Sequence, residues 1–360
     1  MVIEASRLSS LRRRSKISQF IAIFVSAAAV VSLAGCSSSQ ESSPSEASSA
    51  GFPVTLKGAL GSTTIETKPT RVSTIGWTNQ DPVLALGIVP VDMPKMTFAD
   101  VDNDGMYPWT KDALEKLGGT GDKAPAMHDE TDDIDAEAIA ATEPDVILGV
   151  QSGVSDKQYS TLNKIAPTVA YPSVAWAAPW REVVTESGKA LGLSSTAKQV
   201  ISSTEKTLAD SLEKHPHIKG KTASVMYFDT AKLSSLTVYT TTDPREKYLN
   251  DLGLETPESV TKLSQGTDAF YKTVSTENAD DFDDVDIIIT YGDSTTLKTL
   301  QADPLLSKIP AIKRGSVVVI DQTSTLAASV SPSVLSIPAT VDEYMNLIET
   351  AAGMVNDTAK

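Results

Sequence analysis

Short runs of β-branched and aliphatic residues alternate with helix-like stretches over most of this 360-residue chain, and that alternation limits the fold more than any other feature. Val72-Ser73-Thr74-Ile75, Val89-Pro90-Val91 and residues 146–150 and 167–170 read as strands, with helices expected at 81–86, 111–117, 135–142 and 156–165. The same pattern resumes with strands expected at 223–228, 236–239, 287–291 and 317–320. Strands separated by helices pair in parallel, because a helical crossover returns the chain to the same end of the sheet. The expectation is therefore α/β: two Rossmann-like lobes, each with a mostly parallel sheet, and a ligand cleft between them. Residues 179–191 and 196–214 form the longest helical stretch, opened by Pro179 and interrupted by Gly192, and a helix of this kind makes a stiff connector with little hinge motion.

The N-terminus is of another kind. Arg7, Arg12, Arg13, Arg14 and Lys16 precede an apolar run from Ile17 to Leu33, which ends in Leu33-Ala34-Gly35-Cys36. Basic residues, an apolar stretch and a small-residue cleavage site make a secretory signal. Cys36, the single cysteine, sits where a bacterial lipoprotein signal places the residue that takes the lipid. The expected organisation is a signal at 1–35, a Ser-rich flexible tether at 36–52, an N-terminal lobe at 53–178, a connecting helix at 179–192, a C-terminal lobe at 193–352 and a tail at 353–360. The product would be anchored by lipid to the outer face of the cytoplasmic membrane. Residues 1–35 carry five basic side chains and one acidic, so their removal takes the net charge from −15 to −19. Such a surface repels nucleic acid.

Chemistry-bearing motifs are sparse. No Gly-x-Ser-x-Gly elbow is present, and Gly118-Gly119-Thr120-Gly121 lacks the lysine of a phosphate loop and reads as a helix end, so no enzyme is expected. His215-Pro216-His217 and His128-Asp129-Glu130 are poor metal sites, because a closed site needs about four converging strong ligands; the second reads as a loop cap. No metal site or cofactor is expected. One echo joins the two halves: Glu137 follows a capping Asp135, Glu277 follows a capping Ser275, and each precedes a strand-opening aspartate, Asp145 and Asp286. Helix capping alone accounts for that echo.

The chain resembles the ferric-siderophore branch of the helix-linked periplasmic binding proteins over nearly all of 53–352. The resemblance is carried by Arg71-Val72 with Gly76-Trp77, residues 135–148, Ser152-Gly153 through Tyr159 to Val169, Pro179-Trp180-Arg181 with Ala190-Leu191-Gly192, Asp243-Pro244-Arg245 with Leu252-Gly253, residues 275–278 and residues 331–338. It implies a monomeric, lipid-anchored solute-binding protein of an ATP-driven importer that captures a ferric siderophore or related iron chelate. It also implies that Glu137 and Glu277 dock on the membrane permease. Heme or cobalamin remains an alternative cargo, and a surface adhesin or scaffold an alternative of another class.

Ligand contacts are expected on loops past strand ends. In the first lobe these are Trp77, Thr78, Asn79, Tyr107, Trp109, Gln151, Ser152 and Tyr171; in the second, Tyr239, Arg245, Tyr271, Tyr291 and Ser329. Beyond the signal only Arg71, Arg181, Arg245 and Arg314 remain, and Arg245 alone is placed to meet a ligand. So few arginines favour a hydroxamate or mixed-ligand chelate over a highly anionic tris-catecholate.

Overall fold

A computed structural model of the protein describes residues 51–357. The signal, Cys36 and nearly all of the expected tether lie outside the described residues. Phe52, expected in the tether, is half-buried and packs on the core, where its ring lies against Gly192.

The first lobe opens with an antiparallel hairpin, β1 (Val54–Gly58) and β2 (Gly61–Ile65). Then follow β3 (Val72–Thr74), α1 (Gln80–Ala85), β4 (Asp92–Pro94), α2 (Pro108–Leu117), β5 (Ala126–His128), α3 (Ala136–Ala141), β6 (Val146–Leu148), α4 (Asp156–Leu162) and β7 (Thr168–Val169). Their sheet has the order β5-β4-β3-β6-β7, parallel throughout. Its central strands are short and buried on both faces, so they show no polar alternation: β6 is Val-Ile-Leu, and β3 carries Val with the small residues Ser and Thr. The strand expected at 89–91 lies three residues later, in β4, where Asp92 is buried because Ser73 and His128 pair with it. Helix α2 ends on Gly118 in the left-handed conformation, as the glycine-rich stretch implied.

The chain then crosses through α5 (Trp180–Ala190) and α6 (Ser194–Leu212), with Gly192 at φ +65° in the turn between them. Helix α5 packs on β1 and α1. Asp251 fixes its first turn, accepting from Trp180 Nε1 at 2.9 Å and from Arg181 Nη1 at 2.7 Å.

The second lobe comprises β8 (Ala223–Phe228), β9 (Ser235–Tyr239), α7 (Pro244–Asp251), α8 (Glu258–Ser264), β10 (Tyr271–Ser275), β11 (Ile287–Gly292), α9 (Thr296–Ala302), α10 (Pro310–Arg314), β12 (Val317–Asp321), α11 (Thr325–Ser329) and α12 (Ser336–Asp357). Its sheet has the order β10-β9-β8-β11-β12; β8, β11 and β12 are parallel, whereas β9 is antiparallel to both its neighbours. Ile287, Ile288 and Ile289 of β11 are fully buried, and each contributes about 1.5–3 kcal/mol of burial. Two expectations are corrected here. The helix anticipated after Ser275 is a 3-10 segment, Thr276–Phe282, broken by non-helical Asn278. The tail expected at 353–360 is helical as far as Asp357, as the end of α12.

One apolar cluster runs through both lobes. It joins Val72, Val146 and Leu148 of the first sheet, through Trp180 and Leu191, to Val225, Ile289 and Ile320 of the second.

Candidate functional site

Parallel strands place their following loops on one sheet edge, and those of the first lobe face the second lobe across a cleft of about 490 Å³. The first lobe contributes Trp77 past β3, Phe98 past β4, Gln151 past β6 and Trp176 past β7. The second contributes Tyr227, Tyr239, Pro244, Arg245, Phe270, Tyr291, Gln322, Ala327 and Ser331. Seven of these thirteen side chains are aromatic, so the walls offer broad flat surfaces rather than charge.

Trp77 is held from behind. Gly76 turns the backbone at φ +78°, and a Cβ there would lie 2.7 Å from the Gln151 carbonyl oxygen, so no other residue fits. The Gly76 N–H donates to both carboxylate oxygens of Glu130, at 3.0 and 3.1 Å, and the Trp77 N–H donates to Gln151 O at 2.9 Å. Glu130 is in turn fixed by His128 Nε2 at 2.9 Å, whose Nδ1 faces Asp92 at 2.8 Å. Burial opposes a charge on His128, but the two flanking carboxylates outweigh it and push the imidazole up to about 9. His128 is thus a buried cation, while the capping expected of this motif falls to Asp129, which accepts from the Thr131 N–H, and to Glu130 at Gly76.

Phe98 rides on the segment between β4 and α2. There Asp100 accepts from the Gly105 N–H at 2.8 Å, and Lys111 Nζ bridges Asp102 and Asp104 at 2.5 and 2.6 Å. Trp176 adopts φ +63°, and its indole lies directly over Gly153. Two contacts cross the cleft: Trp77 Nε1 donates to Ser331 O at 3.4 Å, and Phe98 meets Tyr291 edge-on at 6.3 Å.

Arg245 stands at the start of α7, its guanidinium 3.9 Å from the centre of the Tyr239 ring. Its Nε and Nη2 donate to Asp243 at 2.8 and 2.7 Å. The other arginines are used elsewhere: Arg71 on the carbonyls of Thr142 and Glu143, Arg181 on Asp251 and Glu205, and Arg314 on the Asp286 carbonyl and Ser316. Burial pushes the Tyr291 phenol up to about 12, so it stays neutral.

Of the residues expected from sequence, Trp77, Gln151, Tyr239, Arg245 and Tyr291 converge on the cleft. The others do not line it. Thr78 is buried at φ +54° beside Pro82 and Ser333. Asn79 is fully buried, its amide bonded to Ile75 O, Gln151 O and the Gln151 N–H. Tyr107 lies tilted against Trp77 with its hydroxyl on Phe98 O, and Trp109 donates to Asp81. Ser152 and Ser329 turn their hydroxyls onto the carbonyls of Gly149 and Leu326. Tyr171 packs with Leu60 in a separate cluster, and Tyr271 is exposed beside Phe270, which takes the lining position instead. Trp176 follows β7 and Phe98 follows β4 as Trp77 follows β3, so the same rule would have found both; Tyr227 lies within β8 and carries no such signal.

Asp81, at the start of α1, is buried and accepts from Trp109 Nε1 at 2.9 Å, Thr110 Oγ1 at 3.0 Å and Ser333 Oγ. The last bond joins the lobes. Burial outweighs these donors and raises the carboxyl to about 7.

Glu137 and Glu277 are both exposed. Glu137 lies in the first turn of α3, and Glu277 just past the C-terminal end of β10.

Two α/β lobes with a cleft lined from both define a solute-binding protein. The chain belongs to the periplasmic binding protein family, whose profile matches residues 101–323. It is 31% identical over 271 residues to the probable siderophore-binding lipoprotein YfiY of Bacillus subtilis strain 168, covering 75% of this chain and 77% of that one. Among solved structures it is similar to PiaA of Streptococcus pneumoniae TIGR4 in complex with ferrichrome, with 43% identity, a TM-score of 0.80, and coverage of 83% of this chain and 99% of that one. The Fe(3+)-citrate-binding protein YfmC of Bacillus subtilis strain 168 is 25% identical over 312 residues, 86% of this chain and 90% of that one.

Proposed function

We propose that this chain captures a ferric siderophore of the hydroxamate class in the interlobe cleft and passes it to the permease of an ATP-driven importer. Lipid on Cys36 would hold it at the outer face of the cytoplasmic membrane, and Glu137 and Glu277, one exposed on each lobe, would dock on the permease. The observation that carries the cargo class is the charge of the cleft. Its one charged lining residue among those described, Arg245, is already paired with Asp243, while the remaining walls are aromatic or neutral. Ferric iron wrapped by hydroxamates has no net charge, and its apolar ligand backbone suits such walls. The binding of ferrichrome by PiaA, at 43% identity, supports the same class.

Trp77 and Trp176 both line the cleft, so tryptophan fluorescence reports on it. Titration with ferrichrome should give saturable quenching at submicromolar concentration. A response to ferric citrate, heme or cobalamin with none to ferrichrome would keep the transport role and discard the hydroxamate assignment. Silence toward every one of them would keep the transport fold and discard the siderophore assignment.

A further inference from the structure

The electrostatics of the cleft rest on a single pair. Asp243 is 1% exposed, and both of its carboxylate oxygens are taken by the Arg245 side chain, at 2.8 and 2.7 Å. It also accepts the Arg245 N–H at 2.8 Å and so caps α7. The next residue, Glu246, is buried against Ser224 and the Val225 N–H; burial pushes it up to about 8, so it adds no full charge at neutral pH. What the cleft presents is therefore a guanidinium face, stacked on Tyr239, whose charge has been cancelled from behind.

We infer that Asp243 is the specificity-determining residue that sets the charge preference of the cleft, admitting iron chelates with no net charge and turning away polyanionic ones. The inference rests on the proposed reading of the cleft as an iron-chelate site. A lone buried arginine would attract an anionic catecholate or carboxylate complex by charge-assisted hydrogen bonds. The aspartate removes that attraction while leaving the guanidinium's flat face available. At an effective dielectric of about 20 and a separation of about 8 Å, one unit of charge on the protein changes binding by about thirty-fold per unit of ligand charge. Screening by salt lowers this, to about ten-fold or more for a multiply charged chelate. The field of the acidic surface is common to wild type and variant and cancels in a ratio.

The test is Asp243→Asn, because asparagine is as good a helix cap as aspartate and has the same shape. Asp243→Ser, another good cap, serves as the second variant. Each is titrated with ferrichrome and with a ferric tris-catecholate trianion, alongside thermal unfolding. The catecholate-to-ferrichrome affinity ratio should rise at least about ten-fold over wild type, and high salt should shrink the gain. An unchanged ratio in folded variants overturns the inference while leaving the proposed function standing. Loss of both ligands in folded variants also overturns it, since Asp243 would then position Arg245 rather than select by charge. If wild type binds neither chelate, the iron-chelate reading fails and the inference with it.

Discussion

The buried carboxyl of Asp81 gives the protein a measurable pH dependence of stability whose direction is opposite to that of an ordinary salt-bridged aspartate. Its folded-state value is raised from 3.8 to about 7, chiefly by burial. The folded protein therefore holds a proton that the unfolded chain releases between about pH 4 and pH 7, and stability must fall as pH rises through that window. A shift of about three units at about 1.4 kcal/mol each corresponds to roughly 4 kcal/mol across the whole window, and roughly 2–3 kcal/mol of it lies above pH 5. Asp81→Asn imitates the protonated acid. Its oxygen can accept from Trp109 Nε1 and Ser333 Oγ, and its amide can donate to Thr110 Oγ1, whose hydroxyl is free to turn. Urea unfolding at pH 5 and pH 8 should show wild type losing roughly 2–3 kcal/mol more than the variant over that interval. Glu246, raised to about 8 by burial, contributes a loss of the same sign to both proteins and cancels in the comparison. Parallel pH profiles for the two proteins would refute the reasoning.

Gly153→Ala would set a Cβ 2.0 Å from Trp176 Nε1, and Gly153 has no positive φ to protect, so the indole must move and the backbone need not. Affinity for the chelate should fall by about ten-fold or more, the cost of displacing one aromatic anchor, with the melting temperature nearly unchanged; retained affinity would place Trp176 outside the contact surface. Glu137→Ala combined with Glu277→Ala should lower uptake by cells while leaving chelate affinity in solution as it was, and a loss of affinity would move one of these residues from the docking face to the cleft.

Chain patterning made the two sheets legible where burial is complete on both faces. The expected strands match β8, β11 and β12 to within a residue at each end, because short runs rich in β-branched and aromatic residues admit few other readings. The hairpin β1–β2 and strand β10 escaped notice because their exposed faces carry Thr, Ser and Lys, which dilute the pattern. Strand β4 was misplaced because Asp92 looks like a turn residue until His128, in a strand far along the chain, provides its partner. The site follows the same logic. Trp77 and Tyr291 sit where a strand-end rule points, but Tyr107, Trp109 and Asn79 satisfy that rule and then turn inward, since their polar atoms find buried partners in Phe98 O, Asp81 and Gln151. Which way a side chain turns at a strand end depends on partners that only the folded chain assembles.

The apolar cluster that continues from the first sheet through Trp180 and Leu191 into the second has a consequence for how cargo leaves. Prising the lobes apart would expose that core and break the Asp81 to Ser333 bond, both of which cost free energy. A receptor built this way spends little of its ligand affinity on closing, so its cleft is ready in the absence of cargo. The reverse holds at delivery: opening the lobes carries that cost, and a permease that docks on both of them, as proposed, would supply the work of loosening the grip.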